Sequence, residues 1–545
     1  THSEYEGKLY ASSSNTLTDG STQGHYTVNN GQYSQTYADV LVNINKRIQD
    51  FTIVANIGAS YSGVTSKELG YAGPIRETGI PNLFNVYDLD NAKKRATQVG
   101  WREATESVFA SAEVGWKSML YLTVTGRNDW ASQLTHSPQA SFFYPSVGLS
   151  AVITEMLKLP DWVDYLKVRG SFSSVGNPYP RFLTYPTYSY DANKQDWKSQ
   201  TNYPIGKLYP ERTDSWEIGL DATLFKDFKL SGSFYYANTY NQTFDPRLPV
   251  SSGYDKLYVQ TGYVRNYGFE AMLSYGHRWG DFSWDSSFTF SANKNEIVEL
   301  VKDYVHPETG KTYNVDKLEL KTDEGRGFGK AKFILKEGGT LGDLYTHADL
   351  KRDINGNILI DDSGNVTAID NAGDIKLGSV LPKANLAWNN SFSYKGINAG
   401  FLLTARLGGI VYSATQAYLD LYGVSETSAA ARDAGGVWVN GRSRVNPQSF
   451  YEVVASQSGL PTYYTYSATN LRLQEAHIGY TIPRRWLGNV CDINVSLVGR
   501  NLWMIYCKAP FDPEAVATTN NYYQGIDYFM MPSTRNIGFN IKINF

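Results

Sequence analysis

The stretch 536–545 reads N-I-G-F-N-I-K-I-N-F. Ile537, Phe539, Ile541, Ile543 and Phe545 fall on one face, and Asn536, Gly538, Asn540, Lys542 and Asn544 on the other. Successive residues of a strand point to opposite sides, so this pattern specifies a strand with one apolar and one polar face. Two architectures use such a strand in opposite senses. A soluble sandwich buries the apolar face and wets the polar one. A membrane-spanning barrel turns the apolar face to lipid and the polar face to a wet lumen.

The rest of the chain decides between them. Period-two patterning recurs over 37–48, 51–62, 107–116, 119–128, 142–154, 165–175, 212–225, 228–240, 263–277, 282–296, 383–394, 398–412, 471–482 and 492–505, with a weaker candidate at 4–12. This predicts fifteen or sixteen strands, most of them longer than an average soluble strand and long enough to cross a tilted membrane path. Within 228–240, Phe228, Leu230, Phe234 and Tyr236 oppose Lys229, Ser231, Ser233 and Tyr235. In 471–482 the apolar parity moves from Leu471 and Leu473 to Ala476 and Ile478, which predicts a bulge. Asn390 stands among Leu386, Trp388, Phe392 and Tyr394, on the lipid-facing parity.

The connections alternate short and long, the longest covering 297–381. Outer-membrane barrels have short periplasmic turns and long extracellular loops, whereas a sandwich has no reason to gather its long loops at one end. The fold class expected is therefore all-β, a transmembrane antiparallel barrel with its carboxy-terminal strand ending at the periplasm. The aromatic terminal residue Phe545 looks like the signal by which such barrels are recognised for assembly.

Composition agrees. Tyr outnumbers Phe, 41 to 24, and Trp101, Trp116, Trp162, Trp279, Trp388 and Trp503 stand near strand ends, as expected of rings at headgroup level. Mean hydropathy is below zero and no apolar run is long enough for a transmembrane helix. A formal charge of −3 over 545 residues gives no case for a nucleic-acid partner. Cys491 and Cys507 flank a candidate strand, which would hold them about 45 Å apart, beyond disulfide reach. The seven His are scattered, and there is no HExxH, G-x-S-x-G or P-loop, so no catalytic residue is assigned.

Several segments resemble, in order, the SusC-like (SusC/RagA) branch of TonB-dependent outer-membrane transporters of Bacteroidetes. They are L-T-V-T-G-R-N-D at 122–129 with Y-P-S-V at 144–147, L-K-V-R-G-S-F-S-S-V-G-N at 166–177, and P-E-R-T-D-S-W-E-I-G-L at 210–220. G-G-T-L-G-D-L-Y at 338–345, N-L-R-L-Q-E-A-H-I-G-Y-T-I-P at 470–483, G-R-N-L at 499–502 and F-D-P-E at 511–514 complete the set. The resemblance implies a barrel of twenty-two strands, of which 1–545 would be the carboxy-terminal part. The plug, the TonB-box and an amino-terminal extension, none recognisable here, would belong to the remaining amino-terminal part. On that reading 536–545 pairs with a strand outside this chain rather than with 4–12.

The resemblance also implies TonB-driven import of an oligosaccharide, or alternatively a peptide, together with a SusD-like surface lipoprotein. Lipids and lipopolysaccharide would surround the wall. A non-transporting receptor or adhesin barrel is the reading from another class. Loop aromatics Tyr203, Tyr209, Tyr254, Tyr258, Tyr345, Trp438, Tyr463, Tyr464, Tyr466, Tyr522 and Tyr523 are candidates for ligand contact, partner contact or loop packing, which the sequence leaves open. Asp353, Asn355, Asn357, Asp361 and Asp362 resemble the start of a calcium loop, with Ile358 where a glycine is expected, so either a structural Ca2+ or an Asx-rich turn fits.

Overall fold

The computed structural model describes every residue except 14–20, 184–187, 192–195, 200–201, 204–207, 245–253, 255, 306–309, 311, 321–326, 518–523 and 545. Sixteen strands form one antiparallel sheet in chain order. They are β1 (His2–Tyr10), β2 (Gly24–Ile48), β3 (Phe51–Pro74), β4 (Arg95–Trp116), β5 (Leu120–Ala131), β6 (Ser141–Val152), β7 (Val163–Asn177) and β8 (Glu211–Leu224). The second half comprises β9 (Phe228–Phe244), β10 (Val259–Trp279), β11 (Phe282–Glu299), β12 (Ala384–Tyr394), β13 (Ile397–Leu407), β14 (Asn470–Ile482), β15 (Asp492–Cys507) and β16 (Asn536–Asn544). The two edge strands, β1 and β16, do not pair with each other.

Cross-strand register carries the two faces around the sheet. Ile218, Phe234, Phe269 and Ala292 lie side by side on one face, and Gly219, Ser233, Glu270 and Ser291 on the other. The apolar face is open: Ile218 is 65% exposed and Phe539 78%. In water so continuous an apolar surface would aggregate, whereas in lipid it is the solvated side. At the short-turn end the rings make a belt. Trp162 stacks on Phe225 at 5.6 Å, Phe228 meets Tyr275 at 4.7 Å, and Trp279 stacks on Phe282 at 5.9 Å. The turns there are tight. Lys395 and Gly396, with φ of 47° and 91°, form the two-residue link whose twist matches that of its flanking strands.

The expected bulge lies at Gln474, where β14 slips by one residue against both neighbours. Asn390 also gains an explanation. It is buried on the lipid-facing side, and Trp284 Nε1 donates to its Oδ1 at 3.1 Å, while Trp388 Nε1 donates to Ser286 at 3.0 Å. Indole N–H groups thus pair with two acceptors that lipid cannot solvate, while Asn390 Nδ2 is buried with no hydrogen-bond partner among the described residues.

Three features depart from expectation. First, β2, β3 and β4 run 25, 24 and 22 residues, so 24–36, 63–74 and 95–100, read as connection, are strand. Beyond the membrane both faces meet water; the ladder continues, as in Gln32↔Lys67 and Glu68↔Val99, while the apolar alternation stops. Second, the strand expected over 398–412 ends at Leu407. Gly408 and Gly409, with φ of 76° and 81°, turn the chain out of the wall, and Ile410–Ser413 pairs instead with Thr465–Ser467 and Ile526–Asp527.

Third, long connections do not spread as separate loops. Parts of 328–380, 410–464 and Ile526 share a core in which Phe333, Leu344, Tyr412, Ala417, Val454 and Leu460 are fully buried. Helices α1 (Ala414–Leu421), α2 (Glu426–Asp433) and α3 (Pro447–Val454) belong to this extracellular cap. Each begins on a side-chain cap from Ser413, Ser425 or Asn446, with Pro447 at the first helical position of α3.

Candidate lumenal wall and ligand-access surface

On the polar face, Arg169 of β7 lies opposite Gly219 of β8. A Cβ at 219 would come within 2.6 Å of Arg169 Nε, so glycine lets the guanidinium lie flat on the wall. Arg169 Nη1 then donates to Glu217 at 2.6 Å, Nε lies 3.8 Å from Asp221, and Ser231 Oγ donates to Asp221 at 2.7 Å. Tyr235 uses Gly268 in the same way, crossing it to donate to Asn293 at 3.1 Å. Such half-exposed pairs each add only about 0.2–1 kcal/mol. Their larger effect is chemical: they hold charges and hydroxyls fixed along the wet face. A recess of about 830 Å3 continues this surface, lined among others by Arg169, Glu270, Thr289, Arg406, Gln474 and Glu514.

The short signature segments prove to be contact partners. Arg169 of L-K-V-R-G meets Glu217 of S-W-E-I-G. Thr125 of L-T-V-T-G-R-N-D and Ser146 of Y-P-S-V share a hydrogen bond of 2.5 Å. Arg472 of N-L-R-L-Q-E is buried at the upper wall, where it holds both carboxylates of F-D-P-E, donating to Asp512 at 2.8 and 3.2 Å and lying 2.9 Å from Glu514. The G-G-T-L-G-D-L-Y segment is moored by Leu341 N–H to Asn295 Oδ1 at 2.8 Å, and its Asp343 accepts from Thr340 at 2.7 Å and from Lys376. Two pairs therefore zip the wall, and two sites anchor the cap to it.

The candidate rings divide by environment. Tyr345 and Tyr464 are buried in the cap core and Tyr463 packs against it, which for these rings is the loop-packing alternative. Tyr464 donates to Asp420 at 3.0 Å, and burial beside that carboxylate raises its phenol; burial also pushes Tyr466 up to about 12. Tyr254 and Tyr258 pack on a second cluster around Leu134, Phe142, Tyr179 and Leu208. Tyr209 is exposed, with its backbone N–H and carbonyl both bonded to Gln260 at 2.6 Å. Trp438 is exposed, and the Arg444 guanidinium lies 4.5 Å above its ring. Tyr203 stands in a two-residue strand with its side chain outside the described set, and Tyr522 and Tyr523 lie outside the described residues.

A ring cluster that sequence reasoning missed surrounds α1. Tyr528 lies 4.4 Å from Phe328 and 5.2 Å from Phe529, which is 5.4 Å from Tyr418. Met531 and Tyr422 nearby are 82% and 74% exposed. The available signal was the string Y-F-M-M at 528–531, four large apolar residues in a row without a strand period.

Asp353 and Asp361 head two copies of one turn, D-I-N-G-N and D-D-S-G-N. In each the Asp Oδ1 accepts the backbone N–H of the residues two and four ahead, at 2.8 Å for Asn355 and Asn357 and 2.9 Å for Ser363 and Asn365. Gly356 and Gly364 complete the turns at φ of 83° and 82°. A further bond from the Asn357 amide holds the Asp353 carboxyl below its ordinary range. The Asp353 and Asp361 carboxylates and the Asn357 amide thus bond within their own turns, the geometry of the Asx-rich alternative.

The family model described as TonB dependent receptor-like, beta-barrel matches residues 2–502. The chain belongs to this family. Its members are TonB-dependent receptors rather than enzymes, and the barrel is integral to the outer membrane. TonB-dependent receptor P3 of Formosa agariphila is 24% identical over 524 residues, covering 89% of this chain and 50% of that protein. TonB-dependent receptor SusC of Bacteroides thetaiotaomicron is 24% identical over 433 residues, covering 73% and 40%. The structure of the RagAB peptide transporter superposes over 100% of this chain and 59% of its own, with a TM-score of 0.76 at 17% identity. The chain spans about half the length of the curated relatives it matches.

Proposed function

We propose that this chain is the carboxy-terminal wall of a SusC-like importer that carries oligosaccharides across the outer membrane with a SusD-like surface lipoprotein. The observation that supports it most is the charged and hydroxylated lumenal face running from Arg169 through Ser231, Glu270 and Thr289 to Arg406. Such a face solvates a hydroxyl-rich chain by hydrogen bonds without holding it at any one point. On the outside, the cap leaves Tyr418, Tyr528, Phe529 and Met531 as an aromatic patch of the kind that anchors a protein partner, here the lipoprotein lid. Strands of the same longer polypeptide complete the sheet at β1 and β16, and its plug transmits the pull of TonB.

A peptide is the second reading of the cargo. Likeness to the RagAB peptide transporter favours it, and fixed charges such as Arg169 and Glu217 suit zwitterionic chains as well as sugars. Growth of a deletion strain on defined oligosaccharides and oligopeptides tests both. Lost growth on an oligosaccharide, restored by the full-length gene, is expected; loss confined to peptides selects the second reading. Unchanged growth on every oligomer contradicts import.

A further inference from the structure

The long connection between β7 and β8 carries a hairpin with an open ring face. Its strands, Tyr188–Asp191 and Asp196–Ser199, are antiparallel, with Tyr188 opposite Ser199 and Tyr190 opposite Trp197. Cross-strand partners and residues two apart share a face, so Tyr188, Tyr190 and Trp197 stand together on one side. Asp196 and Lys198, of opposite charge, fall on the other. Long connections lie on the extracellular side of the barrel, and this hairpin lies there with them.

Tyr188, Tyr190 and Trp197 are 66%, 53% and 64% exposed, and none belongs to a buried cluster. Tyr190 and Trp197 meet at 5.2 Å with planes 59° apart, and among the described residues neither meets a ring outside the hairpin. Three grouped rings held away from any core mark a contact surface rather than packing.

Area decides what kind of partner fits it. An aromatic side chain covers about 150–250 Å2 when buried, so at these exposures the three rings offer about 300–450 Å2. A stable protein contact takes about 800 Å2 from each side, which leaves the patch at about half of that or less. A chain of two or three sugars matches it. A pyranose presents C–H groups on its flat face and hydroxyls around its rim. Its face stacks on a ring while its rim stays in water, as an open platform requires. Tyr Oη and Trp Nε1 at the ring edges give polar partners to those hydroxyls. The 5.2 Å spacing is close to the length of one sugar unit, and the tilt between the planes follows a chain that turns from one unit to the next. The opposite charges of Asp196 and Lys198 leave no net charge on the hairpin's other face, which favours a neutral chain.

We propose that this hairpin captures a neutral oligosaccharide at the cell surface, stacking consecutive sugars on Trp197, Tyr190 and Tyr188 before the chain enters the lumen. The proposal rests on the oligosaccharide reading of the cargo and adds a point of capture that the lumenal wall does not provide.

The test is calorimetric titration of the full-length transporter in detergent with maltohexaose, xylohexaose, mannohexaose, laminarihexaose and a neutral hexapeptide. At least one sugar should bind the wild type, and Tyr190→Ala with Trp197→Ala should weaken it about tenfold. Trp197→Phe, which keeps a ring, should recover most of the loss seen in Trp197→Ala. Tyr87→Ala, which removes a ring 92% exposed on another extracellular connection, should change nothing. Undiminished sugar binding in a double variant that keeps heat-modifiable migration overturns the proposal. A wild type that binds none of the sugars, or that binds the hexapeptide through the same two rings, overturns it as well. Where the double variant does not assemble, the comparison of Trp197→Ala with Trp197→Phe decides. Growth of the deletion strain on the same oligosaccharides judges the import reading separately: growth that needs the transporter, with hairpin variants that bind normally, removes the hairpin's role and keeps import.

Discussion

In the wall, a residue's surroundings follow from its parity in the strand, because lipid lies on one side and water on the other; in the cap, they follow from which distant segment packs on it. Ile218 and Gly219 are adjacent in sequence and face opposite solvents. Tyr463 and Tyr464 are also adjacent, yet one packs on the surface of a core drawn from three connections and the other lies inside it. The wall is stabilised by its continuous ladder in lipid, whereas the cap behaves as a small globular protein moored at a few points. Perturbations that respect one rule therefore violate the other.

Cutting the mooring should have the largest effect. Arg472→Ala leaves the Asp512 carboxylate buried without its partner, at a cost of about 3–5 kcal/mol. Hydrogen exchange should then rise across 508–517 and the neighbouring cap while β7–β12 keep their protection. Phe333→Ala, which empties a fully buried site, should loosen the cap by a similar or slightly smaller amount, about 3–5 kcal/mol at the top of the range, read by limited proteolysis after 320. Intact heat-modifiable migration in both variants would confirm that wall and cap are separable; joint collapse would show that they are one unit.

The wall breaks by parity instead. Ile218→Arg, on the lipid face, should cost about 2–4 kcal/mol in denaturant titration of the reconstituted barrel, and Ser233→Arg, on the wet face, should cost little. Equal costs would refute the assignment of faces. The smallest effect expected is a pH response of the cap. Buried phenols, with Tyr466 raised to about 12, give a folded-state value above that of the unfolded chain, so their contribution is complete below about pH 10 and is lost as pH rises toward about 12. Exchange in the cap should accelerate over that window before exchange in the wall does. Tyr466→Phe should weaken the response.

This contrast also explains what the sequence disclosed. Strand positions, the bulge near Gln474 and both faces were legible because one physical rule, period two against lipid, acts on every wall residue. The rule failed where its cause stops: β2–β4 continue into water on both sides, and the ladder there leaves no apolar trace. Asn390 needed its tertiary neighbour, since nothing local announces that Trp284 reaches it. Loop rings were the least legible. A tyrosine in a long connection reads alike whether it is Tyr209 on the surface or Tyr345 in a core, and only packing separates them. Signature segments were visible as strings, but their pairing, Arg169 with Glu217 and Arg472 with Asp512, is a property of the folded sheet.

The most direct test of the two-sided wall is a spin-label scan of 228–240 in the full-length transporter in bilayers, in a background with Cys491→Ala and Cys507→Ala. Oxygen accessibility should peak at Leu230, Gly232 and Phe234 and that of a water-soluble nickel chelate at Ser231, Ser233 and Tyr235, with the alternation fading above Tyr236. Profiles that rise and fall in phase, or a nickel response as strong at Phe234 as at Ser233, would contradict the account.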